Sequence, residues 1–156
     1  MITHSVDPAI QSLAITKHEE IAAPIELVFE SILEQLGPGS EMPDGTPFPM
    51  KIEPSPGGRW YRDLGENNGH LWAHVQVIKP PTLLELCGPL FMSYAAISHV
   101  QYRLTTASDK TMLQLTHQAI GLITPAHMDG VQLGWEHASK KIREVAERRA
   151  GERRKS

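Results

Sequence analysis

The chain has 156 residues, 40% hydrophobic and 21% charged, with a formal net charge of −3 and a single cysteine. That length suits one ordinary domain, large enough to bury a core without a disulfide or a structural metal. No run approaches the roughly 20 apolar residues of a membrane helix, so no membrane partner is expected. The N-terminal "MITHSVDPAIQSL" lacks the basic start and apolar run of a secretory signal. Cys87 sits in an apolar stretch, reads as a small buried hydrophobe, and fits a reducing, cytoplasmic compartment. From Glu136 onward eight Lys or Arg face four Glu, but no nucleic-acid-binding signature accompanies them, and cations suit a helix C-terminus. Nucleic acid is therefore not an expected partner.

Residues 12–23, "SLAITKHEEIAA", are compatible with a strand. Pro24 then opens a helix in which Ile25, Val28, Phe29, Ile32, Leu33 and Leu36 recur at helical spacing, and Gly37-Pro38 stops it. Residues 37–49, "GPGSEMPDGTPFP", carry four prolines and three glycines; the segment is a loop, either an ordinary surface loop or the rim of a cavity. Strands follow in "PMKIEP", "RWYRDL", "HLWAHVQVI", "TLLELCG", "SHVQYRLTTA" and "TMLQLTHQAIG". Turns at Gly57-Gly58, Asn68-Gly69 and Ser108-Asp109-Lys110 suit antiparallel hairpins. From Pro125, capped by Thr124, an apolar stripe through Met128, Val131, Trp135, Ile142 and Val145 marks a helix of about 25 residues. No repeat or linker divides the chain, and a long amphipathic helix needs a sheet to bury its stripe against. The expectation is one α+β domain over 1–156, its core at about 13–147 and its termini flexible.

These segments, in this order, resemble a known superfamily. "AAPIELVF" after the first strand, Gly57-Gly58 before an aromatic strand, "GHLWAHVQVIKPPTLLEL", "LQLTH" and Gly134-Trp135 are similar to the SRPBCC or START-like proteins. Within that superfamily they most resemble the branch of the C-terminal domain of the activator of the heat-shock chaperone ATPase. The resemblance covers about residues 13–147 and implies a helix-grip fold: a curved seven-stranded antiparallel sheet wrapped around the C-terminal helix, with short helices after the first strand. It also implies a cavity between sheet and helix that in relatives takes lipids, hormones, polyketides or aromatic rings. Relatives include carriers, cyclases, chaperone regulators and iron-bearing oxygenase domains, so the fold does not choose a function. By the same resemblance Pro24, Gly58 and Pro80-Pro81 are structural, Trp135 faces the sheet, and His117 lies in an L-x-L-x-H strand.

Alternation assigns the faces. Leu71, Ala73, Val75 and Val77 are expected inward, leaving His70, Trp72 and His74 on the convex side. Such a row suggests a homodimer interface, with solvent exposure or a reversed strand as alternatives. Val100 shares a face with Tyr102, and Leu113 with Leu115 and His117. An apolar cavity with a few convergent polar groups is the usual small-molecule site. The candidate ligand-binding set is His117, Tyr102, Arg62 and Ser98, framed by Trp60, Trp135 and Met128.

His70 and His74 lie about 13 Å apart along a strand, too far to share one ion. Neither a metal nor another cofactor is expected. No catalytic residue is named: Cys87 has no activating base, and the glycines lack a phosphate-cradle pattern. The leading expectation is a protein that binds an apolar or aromatic small molecule. The alternatives are a cavity enzyme of the cyclase, dehydratase or hydrolase type using His117 as acid and base, and an interaction module resembling a chaperone regulator.

Overall fold

Pro24 occupies the position just ahead of a helix, where its fixed φ and missing donor are tolerated, and its carbonyl accepts from Leu27 and Val28. The helix that follows, α1 (Ile25–Leu36), separates the first strand, β1 (Gln11–Ile21), from the rest of the sheet. A computed structural model describes residues 1–5 and 9–156. Residues 6–8, within the N-terminal stretch examined for a secretory signal, lie outside it. The later strands are β2 (Lys51–Ile52), β3 (Arg59–Gly65), β4 (Asn68–Lys79), β5 (Leu83–Gly88), β6 (Ala96–Ala107) and β7 (Lys110–Gly121), and the chain closes with α2 (Pro125–Lys155).

The seven strands form one antiparallel sheet in the order β1-β7-β6-β5-β4-β3-β2. Consecutive hairpins run from β2 to β7, and the first strand returns to pair with the last. This is the helix-grip arrangement. The inner faces of β5, β6 and β7 contribute Leu84, Leu86, Val100, Tyr102, Leu104, Leu113 and Leu115, all nearly or fully buried.

The long helix starts where Thr124 predicted it. The Thr124 hydroxyl accepts from His127 N at 3.3 Å, and Pro125 fills the first turn. It runs 31 residues, longer than the apolar stripe alone suggests, because its last turns are charged and project beyond the core. Val131, Trp135, Ile142, Val145, Ala146 and Ala150 are its buried row. Polar anchors hold it to the inner row of β1: Arg143 donates to Glu19 at 3.2 Å, and Lys17 lies 3.9 Å from Glu136. No helix among the described residues is long and apolar enough to cross a membrane.

One expectation fails in an instructive place. Strand β4 does not keep a simple two-residue alternation, because its register slips twice. Trp60 pairs with Ala73 but Tyr61 pairs with Leu71, so Trp72 is an extra residue; Val75 pairs with Leu86 but Val77 with Glu85, so Gln76 is another. Each bulge reverses the parity beyond it. Ala73 and Val75 face inward as expected and are buried. Leu71 instead is 46% exposed, Val77 lies opposite Glu85, and Ile78 takes the inward place opposite Leu84.

Candidate functional site

Of the expected ligand-binding residues, four come together on the inner face. Ser98 and Val100 on β6 lie opposite Ala119 and His117 on β7, and Tyr102 is one inward step further along β6. His117 is fully buried, with both ring nitrogens engaged. Trp135, reaching down from α2, donates its Nε1–H to His117 Nδ1 at 2.8 Å, and His117 Nε2 meets Ser98 Oγ at 2.9 Å. An indole N–H can only donate, so Nδ1 must be the unprotonated nitrogen and the proton sits on Nε2, donated to Ser98. Burial pushes the imidazole down to about 4, so it is neutral at pH 7. Tyr102 packs edge-on to Trp135 with ring centroids 6.5 Å apart, and burial raises its phenol well above the ordinary value.

This chemistry bears on catalysis. A general base needs a free lone pair within reach of a substrate proton. The one lone pair of neutral His117 already accepts from Trp135. The geometry gives His117 the part of a fixed polar link between sheet and helix.

Trp60 and Arg62 belong to a second group, at the end of the sheet beside α1. Trp60 is buried and donates Nε1–H to the carbonyl of Leu36, the last residue of α1, at 2.7 Å. Arg62 stacks over Phe48, its guanidinium carbon 4.0 Å from the ring centroid, and donates to the Pro49 carbonyl at 2.8 Å. Met128, on the first turn of α2, is partly buried against the core.

Trp72 belongs to this second group, which corrects its expected place on an open convex row. The first bulge turns its indole onto its own chain, where it contacts Trp60 edge-on at 5.1 Å, Phe91 at 5.7 Å and Phe48 at 5.9 Å. The reason for expecting a subunit contact there, an indole left in water, therefore falls away. His70 and His74 are both exposed, His74 in register with Arg59 and Cys87. Cys87 is a free, half-buried thiol.

Two loops close over this end. The segment 37–50 lays Phe48 and Met50 on the core, and Glu41 in it accepts from His137 of α2 at 2.9 Å with Lys141 at 3.7 Å. The segment 89–95 was not anticipated: Leu90 N donates to Trp72 O at 2.7 Å, and Tyr94 stacks on His127 of α2 with its hydroxyl 2.7 Å from Nδ1. Gly88 leads into it where a side chain would collide with the Trp72 backbone. Leu90 holds a left-handed φ of 55°, a conformation of the kind that clusters at ligand sites in folded proteins. Apolar residues within a strandless run, "PLFMSY", were the signal available for it.

Between the start of β4 and this loop lies a depression of about 300 Å³, lined by Gly69, His70, Leu71 and Trp72 on one side and Pro89 to Ser93 on the other. A second hollow, about 370 Å³, lies between α1 and the charged end of α2.

Residues 22–147 match the family model of Activator of Hsp90 ATPase homolog 1-like proteins. The chain belongs to this family. No curated protein matches it. Among solved structures, it is similar to protein MLL2253 of Mesorhizobium loti, with a TM-score of 0.64 at 17% identity over 86% of this chain and 97% of that one. It is also similar to CalU16 of Micromonospora echinospora, with a TM-score of 0.61, 18% identity, and 92% and 87% of the two chains covered. Protein NE0264 of Nitrosomonas europaea gives 0.61 and 18%, covering 88% and 96%. At these identities the likeness is one of fold.

Proposed function

We propose that this protein binds an apolar or aromatic small molecule on the concave side of the sheet, entering past residues 89–95 toward the space between sheet and α2. The observation that carries the reading is the depression of about 300 Å³ beside the Phe48–Trp60–Trp72–Phe91 cluster. Its size is at the lower bound of ordinary ligand pockets, roughly 300–1,000 Å³, and its lining mixes the rings of Trp72 and Phe91 and the side chains of Leu71, Leu90 and Met92 with polar groups of His70, Ser93 and the backbone. Trp60 and Arg62 pack on the Trp72 and Phe48 rings beside it, and in this reading Trp135, Tyr102, Ser98 and His117 are the inner-face residues met deeper in. Binding without turnover fits the engaged state of both His117 nitrogens.

The test is native mass spectrometry of the folded protein against a broad set of apolar and aromatic compounds, backed by ligand-detected NMR. Saturable uptake competed by a second member of the set is expected. Absence of uptake across the set refutes the reading.

A further inference from the structure

Just behind the wall of the depression, in Trp72, lies a buried polar atom without a partner. Among the described residues, Trp72 Nε1 is a buried side-chain nitrogen with no hydrogen-bond partner. The other two indoles are satisfied, Trp60 by the Leu36 carbonyl and Trp135 by His117. A buried donor left unpaired is costly and uncommon in native proteins, and such a group calls for an explanation. Phenylalanine would supply ring packing against Trp60 without that cost, and an acceptor that arrives with a ligand gives the donor a role.

Resting on the binding function proposed above, we infer that the ligand is a flat aromatic compound bearing a neutral carbonyl oxygen that accepts from Trp72 Nε1–H. Three rings lie against this indole, and their centroid spacings of 5.1–5.9 Å define an aromatic enclosure suited to a planar guest. A carbonyl is preferred to a carboxylate because Arg62, the cation that packs on the cluster among the described residues, already spends itself on the Pro49 carbonyl and the Phe48 face. An ionised guest would therefore lie desolvated without a close counter-charge. A protonated amine has no lone pair with which to accept, and the orphan group is itself a donor.

Access comes from Phe91. Trp60 is buried and Phe48 half-buried, whereas Phe91 is 38% exposed and sits beside the left-handed Leu90. Rotation of the Phe91 ring uncovers the indole edge without disturbing the Trp60 bond to α1.

The experiment compares 2-acetylnaphthalene with 2-ethylnaphthalene, which share size and shape but differ in the acceptor. Indole N–H resonances of ¹⁵N-labelled protein are followed through each titration, Trp72 being assigned by its ring's proximity to Phe48 and Phe91. The ketone is expected to move the Trp72 indole signal downfield while those of Trp60 and Trp135 stay put. It should also bind roughly tenfold more tightly than the hydrocarbon, the worth of one neutral hydrogen bond. In Trp72→Phe that preference should vanish while the hydrocarbon still binds. If both compounds bind equally and the Trp72 signal does not move, the carbonyl inference is overturned and the binding function stands. If neither binds, the carbonyl inference falls, and the broad set of compounds decides the binding function. Should Trp72→Phe not fold, the wild-type titration decides alone.

Discussion

Trp135 Nε1 donates to His117 Nδ1 at 2.8 Å, joining the last helix to the last strand through a fully buried polar group of the core. The bond sets the tautomer of His117, and burial sets its charge, with a pKa of about 4 in the folded protein against an ordinary 6.5. The unfolded chain therefore binds a proton as pH falls below 6.5 while the native protein does not. Stability is intact above 6.5, declines as pH drops from there to about 4, and loses nothing further to this group below that. The span corresponds to roughly 3 kcal/mol as an upper bound. Urea unfolding at pH 7, 5.5 and 4.5 should show the decline, and His117→Gln should flatten that part of it. An equal slope in both proteins contradicts a neutral buried His117.

The same bond predicts a coupling. Trp135→Phe leaves the His117 lone pair buried and unpaired, and should cost about 1–3 kcal/mol beyond the ordinary cost of the smaller ring. Combining it with His117→Leu should recover part of that loss, because neither polar partner then remains. Chemical denaturation of the two single variants and the double variant measures the interaction; strict additivity would show that the indole and imidazole do not support one another.

The sequence was most informative where periodicity was regular. Alternation along β6 and β7 placed Tyr102, Val100, Leu115 and His117 on one inner face, and helical spacing placed Trp135 above them; all are buried. Alternation failed along β4, where bulges at Trp72 and Gln76 each add a residue that composition does not announce. A two-residue period carried through an extra residue puts every later side chain on the wrong face. Thus Leu71 and Val77 were expected inward, and Trp72 outward. Phe91 and Leu90 were missed for a different reason: they lie in a connection with no period, and their packing depends on contacts distant in sequence.

Trp72 offers a direct test of that corrected placement. Trp72→Glu puts a carboxylate among Phe48, Trp60 and Phe91, where nothing pairs with it, and also deletes three ring contacts. The expected result is a loss of about 3–5 kcal/mol, seen as a lowered denaturation midpoint, and a near-ultraviolet dichroism signal weakened by the missing Trp60–Trp72 pair. A stability within about 0.5 kcal/mol of wild type would return the indole to an open surface.

Tyr94 and His127 form the link that holds segment 89–95 against α2, through a 2.7 Å hydrogen bond and a stacked ring pair 5.2 Å between centroids. Tyr94→Phe keeps the stacking and removes only the hydroxyl, so the global fold should lose no more than about 1 kcal/mol. The local consequence is larger in proportion. Leu90 N, bonded to Trp72 O, is the remaining backbone tie of this segment to β4, and it adjoins a strained φ. Hydrogen exchange should therefore quicken across 89–95 while β6 and β7 keep their protection. Because the segment covers the approach to Trp72, association and release of 2-acetylnaphthalene should both speed up, with the equilibrium affinity changing less than either rate. Unaltered exchange and unaltered rates in Tyr94→Phe would mean that the backbone bonds of Leu90 and Ala95 and the packing of Leu90 and Met92 hold the segment without the Tyr94 hydroxyl, and that Tyr94 does not govern entry.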